Sequence, residues 1–125
     1  MNDNDVVIEA WNTVLFQKFQ RFKHLLIDGL SSHSDAVMSR GLFPKGARVL
    51  DVGCGFGDST IRIAREVGPE GAAVGTDCAA NFINCCEQDA RAAGVANASF
   101  FCADSQCDDL RGPYDHAFAR FGTMF

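Results

Sequence analysis

The sequence predicts an α/β fold in which a doubly wound, mostly parallel sheet follows a set of N-terminal helices. Two observations carry this prediction. Arg48–Val52 is a short apolar run followed by glycines, which is typical of a strand buried on both faces. Beyond it, apolar runs of strand length alternate with helical segments of about ten to fifteen residues, which is the pattern of right-handed βαβ units.

The first 45 residues are predicted to form a helical cap. Asp3 or Asp5 can cap a helix that begins near Val7, and Gly29 marks its expected end. A second helix is expected from about Ser34 to Arg40. The apolar residues of the first helix follow one another at steps of three or four, at Val7, Trp11, Leu15, Phe19, Phe22, Leu26 and Leu30.

Residues 46–125 are predicted to form the α/β part of the chain. Four strands are expected there, with a helix after the first strand and another after the second. In chain order, these elements are a strand at Arg48–Val52, a helix at Ser59–Glu66, a strand at Ala72–Thr76, a helix at Ala80–Ala93 closed by Gly94, a strand at Ala98–Cys102 and a strand at Asp115–Phe121.

Composition narrows the function classes. The 125 residues carry a net charge of -5, which repels a polyphosphate backbone, so we expect no nucleic-acid partner. The six cysteines include no C-x-x-C pair and have no histidine at zinc-ligand spacing, so we expect no metal site. The acidic N-terminus does not resemble a secretory signal, and no apolar run reaches the ~20 residues that cross a bilayer. We therefore expect one cytoplasmic domain without a membrane span.

The most specific stretch is the turn that carries Gly53, Gly55 and Gly57 between the first strand and the next helix. Glycine allows a tight turn with positive φ and lets a ligand approach the backbone. In open α/β sheets, ligands bind beyond the carboxyl ends of the strands. A dinucleotide fingerprint requires a glycine at position 58, where this chain has Asp58, and no Walker sequence is present. A merely tight strand-to-helix turn remains the alternative.

At this point the chain resembles the class I S-adenosylmethionine-dependent methyltransferases. Asp51-Val52-Gly53-Cys54-Gly55-Phe56-Gly57 is similar to motif I of that family, and Asp77 is similar to the acidic residue that binds the ribose hydroxyls. Ala103-Asp104-Ser105 resembles the segment that meets the adenine amino group. Tyr114-Asp115 together with Ala119-Arg120-Phe121-Gly122 resembles the fourth motif.

The resemblance implies a Rossmann-like sheet, S-adenosylmethionine as cofactor and methyl transfer to a small-molecule acceptor. It names no catalytic base, because methyl transfer from a sulfonium can proceed without one. Residues 46–125 would be the cofactor-binding half, beneath the cap of residues 1–45. The cofactor-binding residues that it implies are Asp51, Gly53, Cys54, Gly55, Gly57, Asp77, Cys78, Asp104, Ser105 and Arg120.

The resemblance also implies a sheet of seven strands, of which this sequence supplies four. We therefore expect an incomplete fold whose fourth strand is an uncovered edge, with weak cofactor affinity and a tendency to form homodimers. Arg120 would need a counter-charge, either an acidic neighbour such as Asp104 or a ligand carboxylate. The identity of the acceptor stays open.

Two other classes of function remain possible. A nicotinamide-dinucleotide-dependent oxidoreductase is one, since Asp77 lies twenty residues beyond Gly57, a spacing that dinucleotide folds also have. A non-catalytic domain that binds a partner through its exposed sheet edge is the other.

Overall fold

A computed structural model describes residues 4–124, so the capping role expected of Asp3 lies outside the described residues. It contains a four-stranded, entirely parallel sheet in the order β3-β2-β1-β4. The strands are β1 (Arg48–Val52), β2 (Ala72–Asp77), β3 (Ala98–Cys102) and β4 (His116–Phe118). The predicted α/β class with a doubly wound sheet is therefore confirmed.

β1 lies between β2 and β4 and is covered on both faces. Val49 packs with Ile63, Ala64 and Ala73 on one face, while Leu50 packs with Val74 and Phe101 on the other. A strand placed in this way needs apolar residues at successive positions, which is why the run around Val49 shows no polar alternation. The carboxyl end of this buried strand leads directly into the glycine turn.

Two helices follow β1 and β2 as the sequence predicts. Three α-helices precede β1, so the helix after β1 is α4 (Asp58–Val67). The helix after β2 is α5 (Ala80–Ala92). Gly94 follows α5 with a left-handed φ of 68°, in agreement with its predicted role in ending the helix.

The N-terminal helices differ from the prediction in where they break. α1 (Asp5–Ala10) continues through a π-helical segment (Trp11–Leu15) into α2 (Phe16–Arg21), and α3 (Lys23–Met38) follows. The break lies at Phe22, whose φ and ψ are -110° and 23°, and α3 continues through Gly29. One interior glycine costs a helix only about 1 kcal/mol, which the sixteen residues of α3 tolerate. The predicted separate helix from Ser34 to Arg40 is therefore the end of α3.

The N-cap of α1 and the length of the helices complete the description of this region. Asn4, not Asp5, is the N-cap residue of α1, and its side chain makes no capping hydrogen bond. None of the helices within residues 4–124 is long and apolar enough to cross a bilayer.

β4 is shorter than the predicted strand from Asp115 to Phe121. Its pairing with β1 ends at Phe118, and Phe121 adopts a left-handed φ of 61° that a strand cannot contain. The chain then crosses the glycine turn, because a Cβ on Gly122 would lie 2.1 Å from the backbone oxygen of Val52. Arg120 consequently lies beyond the strand.

An aromatic cluster fastens the N-terminal helices to the α/β part. The ring of Phe82 on α5 lies 5.1 Å from that of Phe16 and 5.0 Å from that of Phe56, measured between centroids. Trp11 packs edge-on against Phe19 at 5.2 Å. Asn81 adds two hydrogen bonds to Asn12, one from its backbone N–H and one from its side-chain amide. These contacts hold the helices over the carboxyl end of the sheet.

We predict that Phe82→Ala destabilises the protein by about 3–5 kcal/mol, because Phe82 is 2% exposed and its removal leaves a cavity between four aromatic partners. Leu25→Ala is the matched control, since Leu25 is 71% exposed and its truncation should change the unfolding free energy by less than about 0.5 kcal/mol. Denaturant unfolding of both variants measures this. Equal effects of the two substitutions would contradict the assigned role of the cluster.

Candidate functional site

A cavity of about 440 Å³ lies between the carboxyl ends of β1 and β2 and the N-terminal helices. Its volume falls within the range of roughly 300–1,000 Å³ that is usual for ligand pockets. Most of the predicted cofactor-binding residues line it, namely Gly53, Cys54, Gly55, Asp77, Cys78, Asp104, Ser105 and Arg120. Asp51 and Gly57 are not among its lining residues. The fold therefore brings together eight residues predicted from three separate segments and the end of β4.

The glycine turn is built from three left-handed residues, since φ is 67° at Gly53, 55° at Gly55 and 78° at Gly57. A Cβ at Gly53 would lie 2.4 Å from the Cα of Gly122, and one at Gly57 would lie 2.8 Å from the Sγ of Cys86. At Gly55 a Cβ would meet no atom within 4 Å. Gly53 and Gly57 thus allow the chain itself to pack closely, whereas Gly55 leaves its backbone open toward the cavity.

Asp51 supports the turn from below. Its side chain is 1% exposed, and its Oδ2 accepts hydrogen bonds from the hydroxyls of Ser59 at 2.6 Å and Thr60 at 2.7 Å. Its Oδ1 is buried without a hydrogen-bond partner within residues 4–124. Burial raises the pKa of Asp51 from 3.8 to about 6, although both hydroxyl bonds act in the opposite direction. Asp51 therefore joins β1 to the first turn of α4.

Asp77 ends β2 directly behind the glycine turn. Its Oδ2 accepts the backbone N–H of Gly55 at 3.0 Å, and its Oδ1 accepts that of Ala79 at 3.1 Å. Burial raises the pKa of Asp77, against the lowering effect of these backbone donors. The carboxylate is thus oriented by the turn on one side and by the start of α5 on the other, with its remaining lone pairs available to the cavity.

Three thiols lie near the turn. Burial raises the pKa of Cys78 to about 11, so its side chain lines the cavity as an apolar thiol at neutral pH. Cys54 lies with its Sγ 4.0 Å from that of Cys86, which in turn donates to the carbonyl of Gly55 at 3.0 Å. All six cysteines are free thiols.

Asp104 lies after β3 at the opposite end of the cavity from Arg120. Its Oδ1 accepts the backbone N–H of Gln106 at 3.0 Å, and its Oδ2 accepts the side-chain amide of Asn4 at 2.6 Å. These donors, the backbone bond foremost, hold the pKa of Asp104 below its usual value. An ionised carboxylate that takes a neutral N–H₂ donor is therefore in place, and Ser105 lines the cavity beside it.

The counter-charge of Arg120 is Asp58. The two form a bidentate pair, from Nη1 to Oδ2 and from Nη2 to Oδ1, each at 2.8 Å. Nη1 also donates to the hydroxyl of Ser34 at 2.9 Å. The acidic neighbour of Arg120 is therefore Asp58 and not the expected Asp104, because Asp58 at the start of α4 lies near the end of β4, while Asp104 lies beyond β3.

Several lining residues were not predicted as site residues. The sequence did single out Asp58, but only as an obstacle to pyrophosphate binding. The apolar lining includes Val7, Trp11, Leu26 and Leu30, which all belong to the periodic face predicted for the first helix. The spacing of these apolar residues at steps of three or four was therefore the sequence signal that could have identified them as lining residues. The cavity lining also includes Asn4, Gln106, Phe121 and Met124. No pattern in the sequence predicts that these residues lie at the cavity.

Residues 44–115 match the protein family described as a methyltransferase domain, which is more than half of the chain. The chain belongs to this family. The matched segment of the methyltransferase domain runs from the residues before β1 to those before β4, so it includes the glycine turn, Asp77 and Asp104.

Individual relatives cover less of the chain. It is 44% identical over 61 residues to demethylmenaquinone methyltransferase of Geobacillus stearothermophilus, which is 49% of this chain and 26% of that protein. It is 38% identical over 69 residues to the 23S rRNA (uracil(1939)-C(5))-methyltransferase RlmD of Xylella fastidiosa, which is 55% of this chain and 15% of that protein. The matches thus span about a quarter or less of the length of these curated relatives.

A solved structure extends the likeness of the fold to the N-terminal helices. Magnesium protoporphyrin IX methyltransferase of Synechocystis PCC 6803, in complex with S-adenosylhomocysteine, superposes with a TM-score of 0.72 over 94% of this chain and 57% of that chain. The sequences are 20% identical, so the likeness establishes a shared Rossmann-like fold.

We predict that Asp51→Asn removes a pH dependence of the methyltransferase domain's stability. The pKa of Asp51 rises on folding, so its protonation stabilises the fold fully below pH 3.8, and this contribution is lost as the pH rises to about 6. Between about pH 4 and pH 7, the unfolding free energy of the wild type should therefore fall by about 2 kcal/mol relative to the variant. Denaturant titrations of the wild type and the variant at pH 4 and pH 7 measure this. A difference in unfolding free energy between the two proteins that is the same at both pH values would contradict the prediction.

Proposed function

We propose that this chain binds S-adenosylmethionine and that the domain transfers its methyl group to a small-molecule acceptor. The observation that carries the proposal is the juxtaposition, on one cavity, of the open backbone at Gly55 with the carboxylates of Asp77 and Asp104. In this proposal residues 46–125 hold the cofactor, and residues 1–45 cover it.

Each part of the adenosine group has a suitable partner. The Asp77 carboxylate, oriented by two backbone N–H groups, accepts the two ribose hydroxyls with its remaining lone pairs. Asp104 accepts the adenine amino group, in the position where it now accepts the amide of Asn4. Cys78 and Ser105 flank the base as neutral groups. Gly55 leaves room for the sulfur-bearing chain beside Gly53 and Cys54, which also line the cavity, while Asp51 and Gly57 maintain the turn.

The charges favour a sulfonium over a dinucleotide. Among the residues that the structure describes, the charged side chains lining the cavity are Asp58, Asp77, Asp104 and Arg120, and Arg120 is already paired with Asp58. The excess of carboxylates attracts a cation and repels a pyrophosphate. This supports S-adenosylmethionine against the nicotinamide alternative.

The chain's own contribution to the reaction is positioning. When bound, S-adenosylmethionine supplies a methyl group already activated by its sulfonium, and transfer leaves S-adenosylhomocysteine. The glycine turn and the N-terminal helices hold the donor and the acceptor in line and exclude water from the cavity. No side chain is assigned as a general base. His116, at the edge strand, packs against Phe43 with ring centroids 5.9 Å apart, away from the cavity lining.

The rest of the cavity lining is largely apolar, which fits a small and partly apolar acceptor. It includes Val7, Leu26, Leu30, Phe121 and Met124. Demethylmenaquinone and magnesium protoporphyrin IX, named for two similar proteins, belong to that class. The net charge of -5 and the acidic cavity oppose an RNA acceptor such as the one named for RlmD.

We also propose that the protein is located in the cytoplasm and that it forms homodimers through the edge strand β4.

Calorimetric titration of the chain with S-adenosylhomocysteine and with NAD tests the cofactor. We expect S-adenosylhomocysteine to bind more tightly, and tighter binding of NAD would contradict the proposal. Binding of neither ligand to the folded chain would favour an interaction domain.

The ribose assignment has its own test. Asp77→Asn should weaken S-adenosylhomocysteine binding by at least about tenfold, because it removes a charged acceptor while preserving the shape of the side chain. Asp89→Asn is the matched control, since Asp89 pairs with Lys23 on the surface and should not affect affinity. An unchanged affinity of the Asp77→Asn variant, with its folding verified by circular dichroism, would remove the assignment.

A further inference from the structure

The start of the N-terminal helices makes a contact with a carboxylate of the proposed site. Asn4 donates a hydrogen bond from its side-chain amide to the Oδ2 atom of Asp104 at 2.6 Å, across 100 residues of sequence. Both residues line the cavity. An asparagine amide and the amino group of adenine are both neutral, planar N–H₂ donors. Asn4 therefore makes with Asp104 the same kind of bond that the adenine amino group would make.

The two donors compete for one place on Asp104. Its Oδ1 atom accepts the backbone N–H of Gln106 at 3.0 Å, so Oδ2 is the oxygen with which a ligand would bond. Because Asn4 lines the cavity, its carboxamide fills space beside Oδ2 on the side from which a ligand approaches. An adenine ring within hydrogen-bond distance of Oδ2 needs that space. Binding of the ring thus displaces Asn4.

The helix that follows Asn4 is held loosely. None of the residues of α1 is buried, and Val6 and Val7 are 59% and 37% exposed. The packing contacts of α1 are chiefly with the π-helical segment that follows it in the chain. The aromatic cluster that fastens the N-terminal helices begins only at Trp11. Residues 4–10, which we call the strap, thus have the bond from Asn4 at one end and the anchored segment at the other.

The anchored segment allows the strap to move by itself. Asn81 bonds to Asn12 through its backbone N–H at 3.0 Å and through its side-chain amide at 2.7 Å, which holds the π-helical segment on α5. Such π-helical segments are frequent at functional sites in proteins. A displacement of Asn4 can therefore move α1 about this segment while the aromatic cluster stays in place.

The side chain of Asn4 also has a second use once it leaves Asp104. Asn4 is the N-cap residue of α1, but its amide is directed to Asp104 and makes no capping bond. Asparagine is among the residues that cap helices best, by accepting an N–H of the first turn. Release from Asp104 makes this alternative bond accessible, which reduces the cost of the release.

We propose that the strap is an autoinhibitory contact, in which Asn4 holds α1 over the cavity until the adenine amino group of the cofactor replaces Asn4 on Asp104. This inference rests on the proposed function. It makes the N-terminal helix a competitor of the cofactor rather than a passive cover. Because the cofactor binds only molecules with an open strap, its apparent affinity is reduced by the fraction of molecules in which the strap is closed.

The sign of a change in affinity tests the strap. Asn4→Ala removes the competing amide and should tighten the binding of S-adenosylhomocysteine by at least about threefold, measured by calorimetry on the full 125-residue chain. Truncation of a side chain that contributes to ligand binding would weaken it instead. Asn4→Asp is a second variant of nearly the same shape, which cannot donate to Asp104 and is repelled by it, and it should tighten binding as well.

Asn81→Ala is the matched control. It removes the side-chain bond to Asn12, a link between the N-terminal helices and α5 that lies outside the cavity lining. The affinity for S-adenosylhomocysteine should therefore change by less than about twofold. Tightening equal to that of Asn4→Ala would mean that any loosening of the helices has this effect, and it would overturn the strap.

A second measurement follows the bond itself. The side-chain amide resonances of Asn4 in ¹⁵N spectra are identified by their loss in Asn4→Ala. At saturating S-adenosylhomocysteine they should move to the values of a solvent-exposed asparagine, while those of Asn81 stay in place. Resonances of Asn4 that do not move at saturation would overturn the strap.

The strap and the proposed function fail in different ways. If S-adenosylhomocysteine binds to neither the wild type nor the two Asn4 variants, the proposed function is contradicted and the strap with it. If the wild type binds and Asn4→Ala leaves the affinity unchanged or weakens it, the strap alone is overturned.

Discussion

The left-handed backbone of the turn at Gly53, Gly55 and Gly57 is the constraint on which the rest of the structure depends. It allows the chain to leave the buried strand β1 and enter α4 within five residues, while Gly122 crosses it in close contact. A side chain at Gly53 or Gly57 would collide with neighbouring atoms, and every residue other than glycine is strained at such φ values. The turn leaves the backbone at Gly55 open toward the cavity at the carboxyl end of β1.

Charged groups around that turn are held in two different ways. Asp51 lies beneath it, out of reach of the cavity, and is satisfied on one oxygen by Ser59 and Thr60. Asp77 and Asp104 are oriented by backbone N–H groups and retain lone pairs toward the cavity. Carboxylates of similar appearance in the sequence thus divide into one that maintains the fold and two that are suited to bind a ligand. Geometry, rather than residue type, makes the division.

The sequence predicted the elements whose signal is local. β1 and β3 lie where the apolar runs place them, and α5 ends at the glycine expected to close it. The break at Phe22 was not predictable, because steps of three or four residues fit one continuous helix as well as two helices separated by a kink. The partner of Arg120 was not predictable either, since Asp58 lies 62 residues away and only the folded sheet brings the two together. The bond between Asn4 and Asp104 spans 100 residues and likewise has no local signal.

The most direct test of the account is to map bound S-adenosylhomocysteine by ¹⁵N amide chemical shifts on the 125-residue chain. The account predicts that the largest shifts fall on the turn from Gly53 to Gly57, on Asp77 and Cys78, and on Asp104 to Gln106. Shifts confined to the shallow surface between α5 and β3, around Arg91 and Phe100, would contradict it, as would no shifts at saturating ligand concentration.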